Sequence, residues 1–271
     1  MIASRYRIDN SFDSLLYGRI TILETTMKSL LAPAAIVLSA SIGFADGSHA
    51  AIQSPEGAAG PAAFDILSAH VHREGRVITF HMTAASEAGS ETPEATGNFG
   101  GSSIWAYVWP TSLDPAVVGF ESGTGILALA ATNHPDFNDT PLFDENIDGD
   151  TGNDGGYWHS HWVVLVQNEE CGPGALAVRD IPEGETPRMP ATWPGVPMLL
   201  DSPGFTPYFD GPTISITVAL ADAQTDAIAD QSYDCVSAAV RVNADLHAPL
   251  ACVTNIFDIA SGDLSLPGRV E

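Results

Sequence analysis

Lysine is almost missing from this chain. The one example is Lys28, and from residue 46 onward the cations are six arginines: Arg73, Arg76, Arg179, Arg188, Arg241 and Arg269. Set against 31 of the chain's 34 acidic residues, they give that segment a formal charge of −25. A surface of that sign repels phosphate backbones and anionic lipid, which excludes nucleic acid and membrane surfaces as partners. It attracts cations, although salt adaptation and solubility account for the bulk charge equally well. Cysteine is scarce: Cys171, Cys235 and Cys252 contain no C-x-x-C, which argues against thioredoxin-like redox chemistry, a zinc ribbon and covalent c-type haem. G-x-S-x-G, H-E-x-x-H, a P-loop and a strand-linked G-x-G-x-x-G are absent as well, so no complete catalytic constellation is legible.

Long apolar runs are also lacking. The most apolar stretch follows Met27-Lys28 and ends at Gly43-Phe44-Ala45. Its run of about 15 residues, interrupted by Pro33, is short of the roughly 20 that a membrane span needs. A short positive start, an apolar middle and small residues at the end make a secretory signal. Export after cleavage near Ala45, to the periplasm or the extracellular space, is therefore expected, with residues 1–26 as an extension ahead of the true start. An exported chain allows one disulfide. Cys171 and Cys252 both sit beside turn residues and are the favoured pair.

Residues 46–63 read as a flexible linker rich in Gly, Ala, Pro and Ser, and 64–271 as the folded domain. Nine short apolar stretches there (64–72, 76–84, 103–109, 125–131, 158–167, 175–179, 213–220, 235–242 and 250–257) are separated by Gly, Pro, Asp and Asn clusters. A short helix is expected near 221–230. The pattern predicts an all-β fold, a single β-sandwich of Ig-like or jelly-roll-like kind with long acidic loops. In the first hairpin, a Glu74-Gly75 turn pairs Val71 with Ile78 and Ala69 with Phe80. That register puts His70, His72 and His81 on the face opposite the apolar one.

Two features point to metal. His70-Val71-His72 and His159-Ser160-His161 each place two imidazoles on one face of a strand. With His81 they predict a transition-metal site of His70, His72, His81, His159 and His161, copper before zinc, if the two strands are neighbours. His134, in the Asn133-His134-Pro135-Asp136 loop, is a further candidate ligand. Separately, Asp144-Glu145-Asn146-Ile147-Asp148-Gly149-Asp150 resembles the first half of an EF-hand-type calcium loop. That likeness implies calcium on Asp144, Asn146, Asp148 and the Asp150 carbonyl. The twelfth position is Gly155 instead of glutamate, so completion would fall to Asp154, Asp139 or a remote carboxylate. The competing reading is a surface loop whose side chains cap their own turns.

Trp105, Tyr107 and Trp109 alternate along one strand, and Trp158 and Trp162 flank the second H-x-H on its other face. Such rings more often fill a core than form a sugar-stacking platform. The opening Phe64-Asp65-Ile66-Leu67-Ser68-Ala69-His70-Val71-His72 through Thr79-Phe80-His81-Met82 resembles the first hairpin of exported sandwich domains of the DOMON or cupredoxin-like kind. That resemblance implies haem or copper binding, or a sugar-binding or adhesion role; for haem it implies Met82 paired with a histidine. The leading expectation is an exported metal-binding β-sandwich. A non-catalytic module for a glycan or an exported protein partner is the alternative, and a hydrolase or oxidase with an open coordination position comes third.

Overall fold

In the computed structural model, β-strands form at all nine predicted stretches. The residues described are 51–57, 60–228, 231–245 and 248–271. The expected extension and signal segment lie outside them. The strands are β1 (Ile52–Gln53), β2 (Ile66–Glu74), β3 (Val77–Ala84), β4 (Ser103–Pro110), β5 (Ile126–Asn133), β6 (His159–Gln167) and β7 (Leu176–Val178). They continue as β8 (Leu200–Asp201), β9 (Tyr208–Asp210), β10 (Thr213–Ala219), β11 (Ser232–Tyr233), β12 (Val236–Val242), β13 (Ala251–Ile259) and β14 (Gly268–Arg269). Among the described residues the one α-helix, α1 (Asp222–Ile228), falls where the sequence predicts it. β1 lies inside the stretch read as linker and pairs with β2 through Ile52 and Ala69.

The expected single sandwich is replaced by a sheet packed on a barrel. One layer is the open antiparallel sheet β1-β2-β3-β10-β9. The other runs β5-β4-β12-β13-β7-β6 and closes on itself through β5–β6 pairing, making a six-stranded barrel with β8 added beside β6. Because successive side chains on a strand point to opposite faces, each barrel strand serves two interiors. On β4, Trp105, Tyr107 and Trp109 face outward, against the open sheet, while Ile104, Ala106 and Val108 face the barrel interior. β5 repeats this with Leu127 and Leu129 outward and Ala130 inward, and β6 with Trp162 and Val164 outward and His161 and Val163 inward.

The core between the layers is rich in aromatic side chains. Tyr107 and Trp109 are fully buried, and Phe64 stacks on Tyr107 with ring centroids 4.9 Å apart. Tyr107 donates its hydroxyl to the Ala63 carbonyl at 2.8 Å, so its polar tip is satisfied. Burial on this scale leaves no exposed aromatic platform on β4.

The β2–β3 register is offset by one step from the expected one. Val71 pairs with Phe80, Ala69 with Met82 and Glu74 with Val77, so the turn residues are Gly75-Arg76. Gly75 takes a φ of 60°, and a glycine at the first central position is what a type II′ hairpin turn uses. The offset keeps the predicted faces from Ala69 onward, while a β-bulge between Ile66 and Ser68 turns Ile66 into the core. Cys171 and Cys252 form a disulfide with Cα atoms 5.5 Å apart, closing a loop of 81 residues. In the chain-entropy model such a loop contributes about 4.5 kcal/mol. Cys235 is free and buried; desolvation, then the nearby Asp234 charge, pushes its thiol well above the usual range, which leaves it unreactive.

Candidate metal centre

β5 and β6 are consecutive in sequence and antiparallel, with Thr132 opposite His159 and Ala130 opposite His161. This hairpin brings His134, just past the end of β5, beside the start of β6. The connection from residue 134 to 158 folds back over the same end and delivers Asp139. His134, Asp139, His159 and His161 are all buried, and one ligand atom from each lies within 4.8 Å of the others. Asp139 Oδ1 sits 3.2 Å from His134 Nε2, 3.2 Å from His159 Nε2 and 3.3 Å from His161 Nε2. The two nearest imidazole nitrogens, His134 Nε2 and His159 Nε2, are 2.9 Å apart.

The hydrogen bonds on the far side of each ring fix its tautomer. His134 Nδ1 is 3.0 Å from the Phe137 carbonyl and His159 Nδ1 is 2.8 Å from the Tyr157 carbonyl. A carbonyl only accepts, so both Nδ1 atoms carry the proton. Ser202 Oγ donates to the Asp139 carbonyl at 2.7 Å and therefore accepts from His161 Nδ1 at 3.1 Å. As neutral imidazoles, all three rings therefore turn an Nε2 lone pair towards the carboxylate oxygen. Asp139 Oδ1 and His161 Nε2 are buried without any hydrogen-bond partner. Four converging lone pairs in a dry site repel one another, and a cation among them reverses the sign of that interaction. A tetrahedral ion with ligands at 2.0–2.2 Å requires edges of about 3.3–3.6 Å between ligand atoms. Asp139 to His161, at 3.3 Å, meets the lower limit of that range; Asp139 to His134 and His159, at 3.2 Å, and His134 to His159, at 2.9 Å, are shorter, so the rings would move apart slightly around an ion.

Desolvation pushes the Asp139 carboxyl upward. Were the rings protonated instead, positive charge on His161 and His134, with hydrogen bonds from His134 and His159, would outweigh it and hold the group well below the usual range. Burial raises both Glu145 and Asp201, and each senses a ring of the cluster, His159 and His161 respectively. Gly155 is needed for close approach: a Cβ there would overlap the Phe137 carbonyl and come 2.9 Å from that of His134. Its own carbonyl accepts from His134 N at 3.1 Å. The glycine that departs from the calcium-loop pattern therefore clamps the histidine loop.

Of the five predicted histidine ligands, His159 and His161 enter this cluster. His70, His72 and His81 do not, because β2 and β3 belong to the open sheet. There His70 and His81 stack with centroids 4.3 Å apart, and His81 Nδ1 contacts Ser215 Oγ at 2.8 Å. Met82 is fully buried in the interlayer core, on the face opposite His81, so the haem-type pairing is not formed. The sequence offers Asp139 only as a completing calcium ligand. The signal that finds it is topological: consecutive strands tend to pair, so residues flanking a long β5–β6 connection meet at one end.

The 144–150 loop has the predicted sharp turn, with Gly149 at a φ of 93°. Its side chains are engaged by its own backbone: Asp144 accepts from Asp148 N (3.2 Å) and Gly149 N (2.7 Å). Asn146 accepts from Asp148 N, and Asp148 from Asp150 N, both at 2.8 Å; Asp150 accepts from Gly152 N at 3.0 Å. These contacts are the turn-capping pattern of such loops, while Glu145 Oε2 and Asp154 Oδ2 beside them are buried without a hydrogen-bond partner.

Comparison with family models, curated proteins and solved structures gave no match. The cluster could hold a metal ion on its own geometry.

Proposed function

We propose that this is an exported metal-binding β-protein, holding one first-row divalent ion between His134, Asp139, His159 and His161. The observation that carries the reading is the convergence of three Nε2 atoms, each stripped of its proton by an outer hydrogen bond, on an orphaned buried carboxylate oxygen. A donor set of three imidazoles and one carboxylate contains no sulfur, so the copper-first order expected from sequence gives way to zinc first. Outer hydrogen bonds of this kind orient a ligating ring and raise its basicity. Export is supported by the signal-like Met27–Ala45 segment and by the Cys171–Cys252 disulfide, which suits an oxidising compartment. The glycan-binding alternative loses its platform, because Tyr107 and Trp109 are core residues.

Metal analysis after native purification, followed by zinc titration of chelated protein, tests the reading. One equivalent of zinc is expected, falling below a tenth in the His159→Ala/His161→Ala variant. Absence of bound or restorable metal in the parent protein, or full retention in the variant, sinks it.

A further inference from the structure

The barrel interior is not filled. A cavity of about 400 Å³ runs inside it, lined by aliphatic side chains along its length. Residue choice contributes to the void: Ala106, Ala130 and Ala238 stand at inward positions, while their outward neighbours on β4 and β5 include Tyr107, Trp105 and Leu129. The polar lining residues are Thr132, His134, Asn138, Asp139 and His161, all from the metal end.

Strand register sets the direction of the cavity. On the β5–β6 pair, Thr132 and His159 mark the metal end, and Ile126 opposite Leu165 marks the other, about 20 Å away by strand rise. At that far end the lining residues Ile126 and Ile256 are exposed apolar side chains, at 42% and 43%. Leu264 and Leu266 line it too, held at φ values of 58° and 53°, a backbone region that leucine rarely adopts and that clusters at ligand clamps. Three of the four metal ligands line the cavity and His159 does not. The open side of the metal cluster therefore faces the apolar space, with His159 behind it.

We propose that the barrel binds a medium-chain aliphatic molecule carrying an oxygen donor at one end, its chain along the barrel axis and its head group on the metal. The proposal rests on the metal reading of the same cluster. The space corresponds to about 13 water volumes, room for a chain of roughly ten to fourteen non-hydrogen atoms. A zinc site with an open position takes an oxygen donor as an added ligand, and a head group arriving along the cavity would meet the cluster on the side lined by His134, Asp139 and His161. A net positive centre at the end of a dry tunnel selects for an oxygen head group and against a plain hydrocarbon.

Dodecanoate titrated calorimetrically into the zinc-loaded full chain is the test, with zinc stoichiometry measured on the same samples and xenon as a purely apolar probe. The expected result is saturable 1:1 binding of dodecanoate, weakened at least tenfold when zinc is chelated, while xenon uptake stays unchanged. Ala106→Leu with Ala238→Leu, paired alanines of β4 and β12, should weaken dodecanoate at least tenfold and reduce xenon uptake while keeping one zinc. Should that pair not fold, Val240→Leu keeps the comparison with a loss of about threefold. A chain that takes zinc but no dodecanoate overturns the proposal and leaves the metal reading standing. A chain that takes dodecanoate but no zinc overturns the head-group contact and the metal reading together. Undiminished binding in a folded, zinc-loaded filled variant places the ligand elsewhere and overturns the proposal as well.

Discussion

Substituting Ala106 by leucine should make the domain more stable, an unusual direction for a buried position. Ala106 is 2% exposed and points into the barrel cavity from the middle of β4, a strand with regular pairing to both neighbours. A leucine there adds three carbons to space that is already vacant, so they leave water in the unfolded chain and gain contacts in the folded one. At about 0.8 kcal/mol per buried methylene the gain is about 2.4 kcal/mol. For a domain of this size, 1 kcal/mol moves Tm by about 2–4 °C, so the midpoint should rise by about 5–10 °C. Calorimetric melting of the zinc-loaded protein, with urea unfolding as a second measure, reads the change. In an interior packed at normal density, the same substitution would cost about 1–3 kcal/mol through overpacking. A fall in Tm would therefore refute the cavity itself and the reasoning built on it. Because Ala238 lies directly opposite, the Ala238→Leu gain should not add fully to this one.

Gly155→Ala tests the clamp on the histidine loop. Overlap with the Phe137 carbonyl should cost about 1–3 kcal/mol or more, and zinc affinity should fall at least tenfold, read by melting and zinc titration. Asp144→Ala should cost about 1 kcal/mol by freeing two amides of the acidic loop, and should leave zinc stoichiometry unchanged; loss of zinc would join that loop to the site. His81 gives a pH signature, since desolvation first, then His70 and His72, lower its pKa from 6.5 to about 4. The unfolded chain takes up that proton first, so this histidine's share of stability is intact above pH 6.5 and is lost as pH falls towards about 4. His81→Gln should flatten that part of the slope in denaturant unfolding of chelated protein, and an unchanged profile would refute the shift.

The sequence made the strands legible because turn residues bound each apolar stretch and alternation assigned each face. The β2–β3 hairpin keeps the predicted faces from Ala69 onward, because moving the turn by one residue shifts each cross-strand partner by two. Closure of the second layer was not legible. It depends on β6 pairing with both β5 and β7, and nothing in the residues of β6 says that it has two partners. The site was half legible for the same reason. The H-x-H spacing shows that His159 and His161 share a face. Their partners, however, come from a hairpin connection whose path is set by Gly155 and by backbone contacts, and no side-chain pattern records those.

The division of labour between the two faces of the barrel wall explains how the domain tolerates an unfilled interior. At about 24 cal/mol per Å³, a void of 400 Å³ forgoes on the order of 10 kcal/mol of packing, comparable with the whole net stability of a typical domain. A fold whose only core lay inside the barrel could not sustain that loss. Here Phe64, Tyr107, Trp109, Leu129 and Trp162 pack outside the barrel, against the open sheet, and supply a second and larger core. The open sheet is thus the stabilising layer, and its presence frees the inward side chains of β4, β5 and β12 to stay small. That separation predicts opposite responses to truncation. Leu129→Ala, in the interlayer core, should cost about 2–5 kcal/mol, whereas Val240→Ala, beside the void, should cost under half as much because its methyl groups already face empty space. Equal losses at the two positions would show that the barrel interior carries the fold after all.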